Sequence, residues 1–199
     1  MTERRPASPT GANPGGPVMI ALVGGPGAGK TTVLNHLRQH HSHQIQVYQE
    51  AARHVLTRHP RFQGRSAVQA QGFEFQAAIW QMQARQFARA TRSRKAVAVF
   101  DRGLPDSLVY LQLKQIEPPA ELQRLCRDRR YDAVFFLESP PFYVQDPQRQ
   151  ESEAEARRIQ ELLLGAYQEC GYRPILVPYE TVAQRSAAIL AGVASLARR

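Results

Sequence analysis

Lysine is scarce in this 199-residue chain: Lys30, Lys95 and Lys114 are the only three, against 26 Lys plus Arg in all. A cation confined to three positions makes each of them conspicuous, Lys30 above all. There are just two cysteines, Cys126 and Cys170, far apart, with no C-x-x-C pair and no histidine at metal-ligand spacing. That excludes a disulfide framework or a zinc finger, and the two read as buried structural thiols. No apolar run approaches the roughly 20 residues of a spanning helix, and the N-terminus lacks the apolar core of a signal peptide. A cytoplasmic location is the expectation. Hydrophobic residues at 43% and charged residues at 22% are ordinary for a globular domain, which excludes a fibrous or a wholly disordered chain.

The net charge of +9 raises a nucleic-acid or anionic-membrane partner, since clustered cations release counterions from polyanions. The arginines are scattered along helix-forming segments rather than gathered into one arm. Solvated helix charge is therefore the favoured reading, nucleic acid is not favoured, and an anionic membrane surface is a secondary reading.

Residues 1–17 (MTERRPASPTGANPGGP) lack apolar periodicity and are rich in Pro, Gly, Ser and Thr, the composition of a disordered tail. One domain is expected over 18–199. Val18-Met19-Ile20-Ala21-Leu22-Val23 reads as a strand buried on both faces. Further strands are expected at Ile45 to Tyr48, Ala96 to Phe100, Ala133 to Leu137 and Ile175 to Val177. Helices are expected at about 31–40, 50–58, 66–92, 105–112, 119–128, 151–169 and 181–196. The alternation predicts a three-layer α/β sandwich around a five-stranded parallel sheet with right-handed crossovers.

Between the first strand and the first helix lies Gly24-Gly25-Pro26-Gly27-Ala28-Gly29-Lys30-Thr31, followed by Thr32. This fits G-x-x-x-x-G-K-[ST] in the strand–loop–helix context its mechanism needs. Backbone N–H groups of such a loop and the helix N-terminus cradle phosphates. Lys30 is expected to reach the β- and γ-phosphates and Thr31 to ligate Mg²⁺, so MgATP is the expected nucleotide.

What accompanies the loop narrows the class. No D-x-x-G and no N/T-K-x-D occurs, against a Ras-type GTPase. After Val97-Ala98-Val99-Phe100-Asp101 stands Arg102 rather than the water-activating glutamate of motor and RecA-like ATPases. An Asp-Arg pair there resembles small-molecule kinases, nucleoside and thymidylate kinases among them. Such kinases place a carboxylate after the second strand to take the acceptor proton, and Glu50 stands at that place, where carboxyl ends of parallel strands open onto one crevice. Glu50 also reads as an N-terminal helix carboxylate favouring the helix dipole, and Asp101 as a helix cap rather than a Mg²⁺-organising residue.

Positive charge over the transferring phosphoryl group is expected from Arg102 and from a lid at about 138–158 that carries Asp146, Arg149, Arg157 and Arg158. Arg149 is the first candidate. Solvated pairs with Glu151, Glu153 and Glu155 are the alternative. Phe73, Trp80 and Phe87 recur every seven residues, as core, as a stacking surface for an acceptor or as a homodimer seam, with Gln76 and Gln86 as candidate acceptor contacts. His36, His40, His41 and His43 read as a solvated helix end rather than a metal cluster. Val177-Pro178-Tyr179-Glu180 falls where P-loop kinases contact adenine.

Taken together, GGPGAGKTT, QEAAR, VFDRGLPDSLVYL, YDAVFFLE, RQESEAEARRIQ and GYRPILVP resemble the small AAA-type ATPase family that includes the nicotinamide riboside kinase domain of NadR, over roughly residues 18–180. The resemblance implies an ATP-binding, nucleoside-kinase-like core. The expected activity is transfer of the ATP γ-phosphoryl group to a hydroxyl of a small nucleoside-like acceptor. Another branch of that family is described as GTP-sensing and phosphatidic-acid binding, which implies the alternative of a slow ATPase or GTPase switch associated with anionic lipid.

Overall fold

A computed structural model describes residues 16–66, 69–70, 72–140 and 152–196. The element order is β1 (Val18–Val23), α1 (Lys30–His40), β2 (Ile45–Tyr48), α2 (Ala51–Arg58), α3 (Phe73–Ala90), β3 (Val97–Asp101), α4 (Leu104–Gln112), α5 (Ala120–Asp128), β4 (Ala133–Leu137), α6 (Glu153–Glu169), β5 (Ile175–Val177) and α7 (Val182–Leu196). The strands form one parallel sheet in the order β2-β3-β1-β4-β5.

β1 is central because it is apolar on both faces. Met19, Ala21 and Val23 look one way, with Ala98, Phe100, Val134 and Phe136, onto Phe87 of α3, Val109 of α4 and Leu163 and Tyr167 of α6. Ile20 and Leu22 look the other way, with Val97, Val99, Phe135 and Leu137, onto Val33 and Leu37 of α1 and Ile189 and Val193 of α7. These are the three layers expected, and the period-2 alternation of side chains is what separates the two cores. The layer of α7 lies so close that a Cβ on Gly192 would come within 2.6 Å of the Phe135 ring. β5 is an edge strand with Ile175 and Leu176 exposed.

One element boundary departs from expectation by several residues. The helix expected from residue 66 begins at Phe73. Ser66 and Gln69 tie off a turn through mutual side-chain-to-backbone hydrogen bonds, and Gly72 holds φ 120°, which no right-handed helix accommodates. The aromatic stripe also splits: Trp80 and Phe87 are buried in separate clusters, while Phe73 is exposed and packs edge-on against Trp80 at 5.5 Å. Of the expected N-terminal tail, residues 1–15 lie outside the described residues, as do 141–151 of the expected lid, including Asp146 and Arg149.

Candidate functional site

The loop Gly24 to Gly29 runs from β1 into α1 at the carboxyl edge of the sheet. Gly24 is required there: its φ is 153°, and a Cβ would meet the Leu137 carbonyl oxygen at 2.5 Å. Gly27 and Gly29 turn the chain at φ 78° and 77°. Pro26 and Ala28 fill the intervening positions, and Ala28 N–H donates to the Gly25 carbonyl at 3.3 Å. Thr31 and Thr32 follow in the first turn of α1, both exposed at a helix start that has no acidic residue.

Lys30 opens α1 and is only 8% exposed. Its Nζ donates to the carbonyls of Gly24 and Gly25, both at 2.9 Å. Burial, reinforced by the nearby Arg102 charge, lowers its pKa to about 7, against the opposing pull of Asp101, Asp106 and Glu50. A buried ammonium satisfied only by neutral carbonyls suits an arriving anion, and the residues of the loop fit a nucleotide triphosphate.

Arg102, just past β3, takes a left-handed φ of 70°, uncommon for a residue with a Cβ. Its N–H is fixed by the Leu22 carbonyl at 3.1 Å. From there the guanidinium bridges two carboxylates. Nε donates to Glu50 Oε1 at 3.0 Å and Nη1 to Asp106 Oδ2 at 2.9 Å, with the Tyr110 ring 5.6 Å from Cζ. Burial alone would weaken the charge, yet Tyr110, Asp106 and Glu50 raise the Arg102 pKa. Asp106 is 2% exposed and accepts from Tyr167 Oη at 2.7 Å as well as from Gly103 N–H at 3.4 Å.

Glu50 is the N-cap residue of α2, but its side chain makes no cap hydrogen bond; it turns to Arg102 instead. Burial pushes its pKa up, and Arg102 and Lys30 outweigh that, leaving it below the usual range. Asp101 behaves oppositely. Burial and the Glu50 charge raise it to about 6, against Arg102 and Lys30. The cap of α4 is built by Gly103 and Asp106, so the capping alternative belongs to Asp106 rather than Asp101. A half-desolvated carboxylate beside a second carboxylate suits a divalent cation, and Asp101 and the Thr31 hydroxyl are the oxygen donors here that could hold Mg²⁺. No group of three or more His, Cys, Asp or Glu able to hold a metal by itself occurs among the described residues.

Four features were not found from sequence. Arg185 of α7, 3% exposed, donates from Nη1 to the Ala28 carbonyl at 2.8 Å and from Nη2 to the Glu138 carbonyl at 2.9 Å, bracing the loop from behind. The available signal was an arginine heading the apolar stripe Ile189, Val193 at four-residue spacing. Asp106 stands within VFDRGLPDSLVYL and Tyr167 between RQESEAEARRIQ and GYRPILVP, and neither position announced a role. Gln83 donates to the Gly103 carbonyl at 3.1 Å and buries its Oε1 without a hydrogen-bond partner, as Gln76 Oε1 and Trp80 Nε1 are buried on the same helix. Gln86, by contrast, is committed to the Gln49 carbonyl at 2.9 Å and ties α3 to the turn that presents Glu50. Arg157 pairs with Glu153 at 2.5 Å on the exposed face of α6, the solvated alternative for that residue.

Strand order, loop and layers define a P-loop α/β fold of the nucleoside-kinase type. The AAA domain family model matches residues 19–185, and the chain belongs to that family. Among solved structures it is similar to NadR in complex with NR, at 20% identity and TM-score 0.65, covering 88% of this chain and 52% of NadR. The chain thus spans about half of that protein. It is also similar to deoxyadenosine kinase from M. mycoides (14% identity, TM-score 0.57, 89% of this chain and 99% of that one). A third likeness is thymidylate kinase from Ehrlichia chaffeensis (14% identity, TM-score 0.57, 90% and 99%). No curated protein matches the sequence. Among the described residues no helix is long and apolar enough to cross a membrane.

Proposed function

We propose that the chain is a small-molecule kinase that transfers the γ-phosphoryl group of MgATP to a hydroxyl of a small nucleoside-like acceptor. The observation that carries this reading is the Glu50–Arg102–Asp106 bridge beside Lys30 and Asp101, which holds a carboxylate ionised at the mouth of the phosphate loop. In this reading Lys30 and the loop N–H groups bind the β- and γ-phosphates. Thr31 and Asp101 would hold Mg²⁺, which would supply neutralisation of phosphate charge. Glu50 receives the acceptor proton at Oε2 while Oε1 stays on Arg102, and the Arg102 charge offsets what develops on the equatorial oxygens. Arg149 is proposed to add to that charge from the lid. The buried, unpartnered Gln76 and Gln83 oxygens are proposed to meet donors on the acceptor.

NadR is described with AMP-PNP bound and with NR bound, and the neighbouring kinases act on nucleosides or nucleotides; this supports ATP as donor and a nucleoside-like acceptor. The test is ADP release from MgATP and MgGTP with and without nucleosides, nicotinamide riboside, sugars and amino alcohols. A phosphorylated product identified by mass spectrometry, its formation dependent on one acceptor class, is expected. Turnover indifferent to every acceptor would sink the kinase reading.

The second reading, a slow nucleotide switch on an anionic surface, rests on a different observation. A cleft of about 500 Å³ between β2 and α3 gathers Arg85, Arg89 and Arg92 beside Tyr48. It predicts binding to anionic vesicles that falls steeply with salt.

A further inference from the structure

The only two cysteines of the chain share one hydrophobic cluster. Cys126 lies in the last turns of α5, buried at 3% exposure among Trp80, Leu104, Leu111 and Leu122, and Cys170, the C-cap residue of α6, packs half-buried against the same cluster. Each thiol shifts the protonation of the other. Both are free thiols. The segments are held together by more than the sulfurs: Arg130 Nη1 donates to the Cys170 carbonyl at 2.5 Å, its guanidinium lies 3.7 Å from the centre of the Tyr172 ring, and Tyr131 N–H donates to Tyr172 Oη at 3.2 Å. The turn after α5 is therefore clamped onto the turn after α6, and the two cysteines are kept at one cluster by contacts that do not involve sulfur.

We infer that Cys126 and Cys170 form a redox-modification site, a dithiol that two-electron oxidants such as hydrogen peroxide convert reversibly to an intramolecular disulfide. The roles of the sulfurs differ. Cys170 is the more accessible one, and Cys126 together with the Arg130 charge lowers its pKa, against burial and Glu169. Cys170 and burial raise the pKa of Cys126. Cys170 thiolate attacks a peroxide oxygen, the O–O bond breaks, and hydroxide leaves as water after taking the proton released from the Cys170 thiol. The resulting sulfenic acid is attacked at sulfur by Cys126. The S–S bond forms, the S–O bond breaks, and the Cys126 proton leaves with the hydroxyl as a second water. Two thiols are oxidised and one peroxide is reduced to two waters. The bond would link α5 to the C-terminal turn of α6, the helix that carries Tyr167 to Asp106. This site is independent of the proposed kinase activity.

The test uses the full chain, reduced, freed of reductant and folded by circular dichroism, then treated with equimolar hydrogen peroxide. The intact mass should fall by two hydrogen atoms in monomeric protein, a non-reduced digest should link the Cys126 and Cys170 peptides, and dithiothreitol should reverse both. Cys126→Ser should stop at a dimedone-trappable sulfenic acid on Cys170, and Cys170→Ser should leave Cys126 unmodified. If either variant fails to fold, the wild-type mass and digest decide alone. Thiols that both survive the peroxide, links found only between chains, or oxidation of Cys126 ahead of Cys170 would overturn the assignment.

Discussion

Glu50 and Arg102, 52 residues apart in the chain, share a hydrogen bond of 3.0 Å at the carboxyl edge of adjacent strands β2 and β3. Parallel pairing of Tyr48 with Phe100 brings the two ends together, and the left-handed turn at Arg102 aims the guanidinium across the gap. Glu50→Gln should lower acceptor phosphorylation by about 10²–10⁴-fold with nucleotide affinity little changed, as removal of a positioned base does. Product formation and nucleotide titration, run side by side, check the split.

Arg102→Lys should not restore what Arg102→Ala loses. An ammonium is a point charge and cannot hold Glu50 and Asp106 at once in the fork geometry that a guanidinium provides. Equal transfer rates in the Lys variant and the natural chain would count against the bridge.

Tyr167→Phe removes the hydroxyl donated to a nearly fully buried carboxylate. Leaving Asp106 short of a donor should cost about 1–3 kcal/mol in urea unfolding.

Charge state gives a prediction with a definite sign in the nucleotide-free chain. The folded Asp101 pKa is raised to about 6 from an ordinary 3.8, so the folded state holds more protons than the unfolded between those values, and this group's contribution to stability falls as pH rises through them. Asp101→Asn should flatten the unfolding free energy between pH 4 and 6. Lys30 acts at higher pH: its folded value of about 7 lies below 10.5, the unfolded state holds the extra proton, and stability rises with pH across that window. Lys30→Met should abolish the rise and, in the same protein, abolish nucleotide binding. Chemical denaturation across pH measures both.

Gly192→Ala should destabilise by about 1–3 kcal/mol, because the added methyl would overlap the Phe135 ring unless α7 shifts. Urea unfolding of the variant checks it.

The central strand, the phosphate loop and the alternation of strands with helices were legible because each is written locally, as an apolar run, a glycine pattern or a change of period. That Glu50, Asp101 and Arg102 lie together at one edge of the sheet was legible by position, since parallel strands deliver their carboxyl ends to one crevice. The start of α3 was not, because composition over 66–72 is helix-forming while the Ser66–Gln69 turn and the Gly72 backbone override it. Arg185 and the Tyr167–Asp106 contact were hidden for another reason. They act across 157 and 61 residues, and no local pattern marks a side chain whose partner is chosen by how α6 and α7 fold back. The cysteines were expected as buried structural thiols, and their place at one cluster depends on the same long-range packing of α5 against the end of α6.

Lys30 resting on the Gly24 and Gly25 carbonyls has a kinetic consequence. The loop is self-occupied, so a phosphate must wait for the ammonium to let go of its own backbone before the full set of contacts can form. Release is unimolecular and does not depend on how much nucleotide is present. Observed binding rates should therefore rise with nucleotide concentration and then level off at the rate of that release.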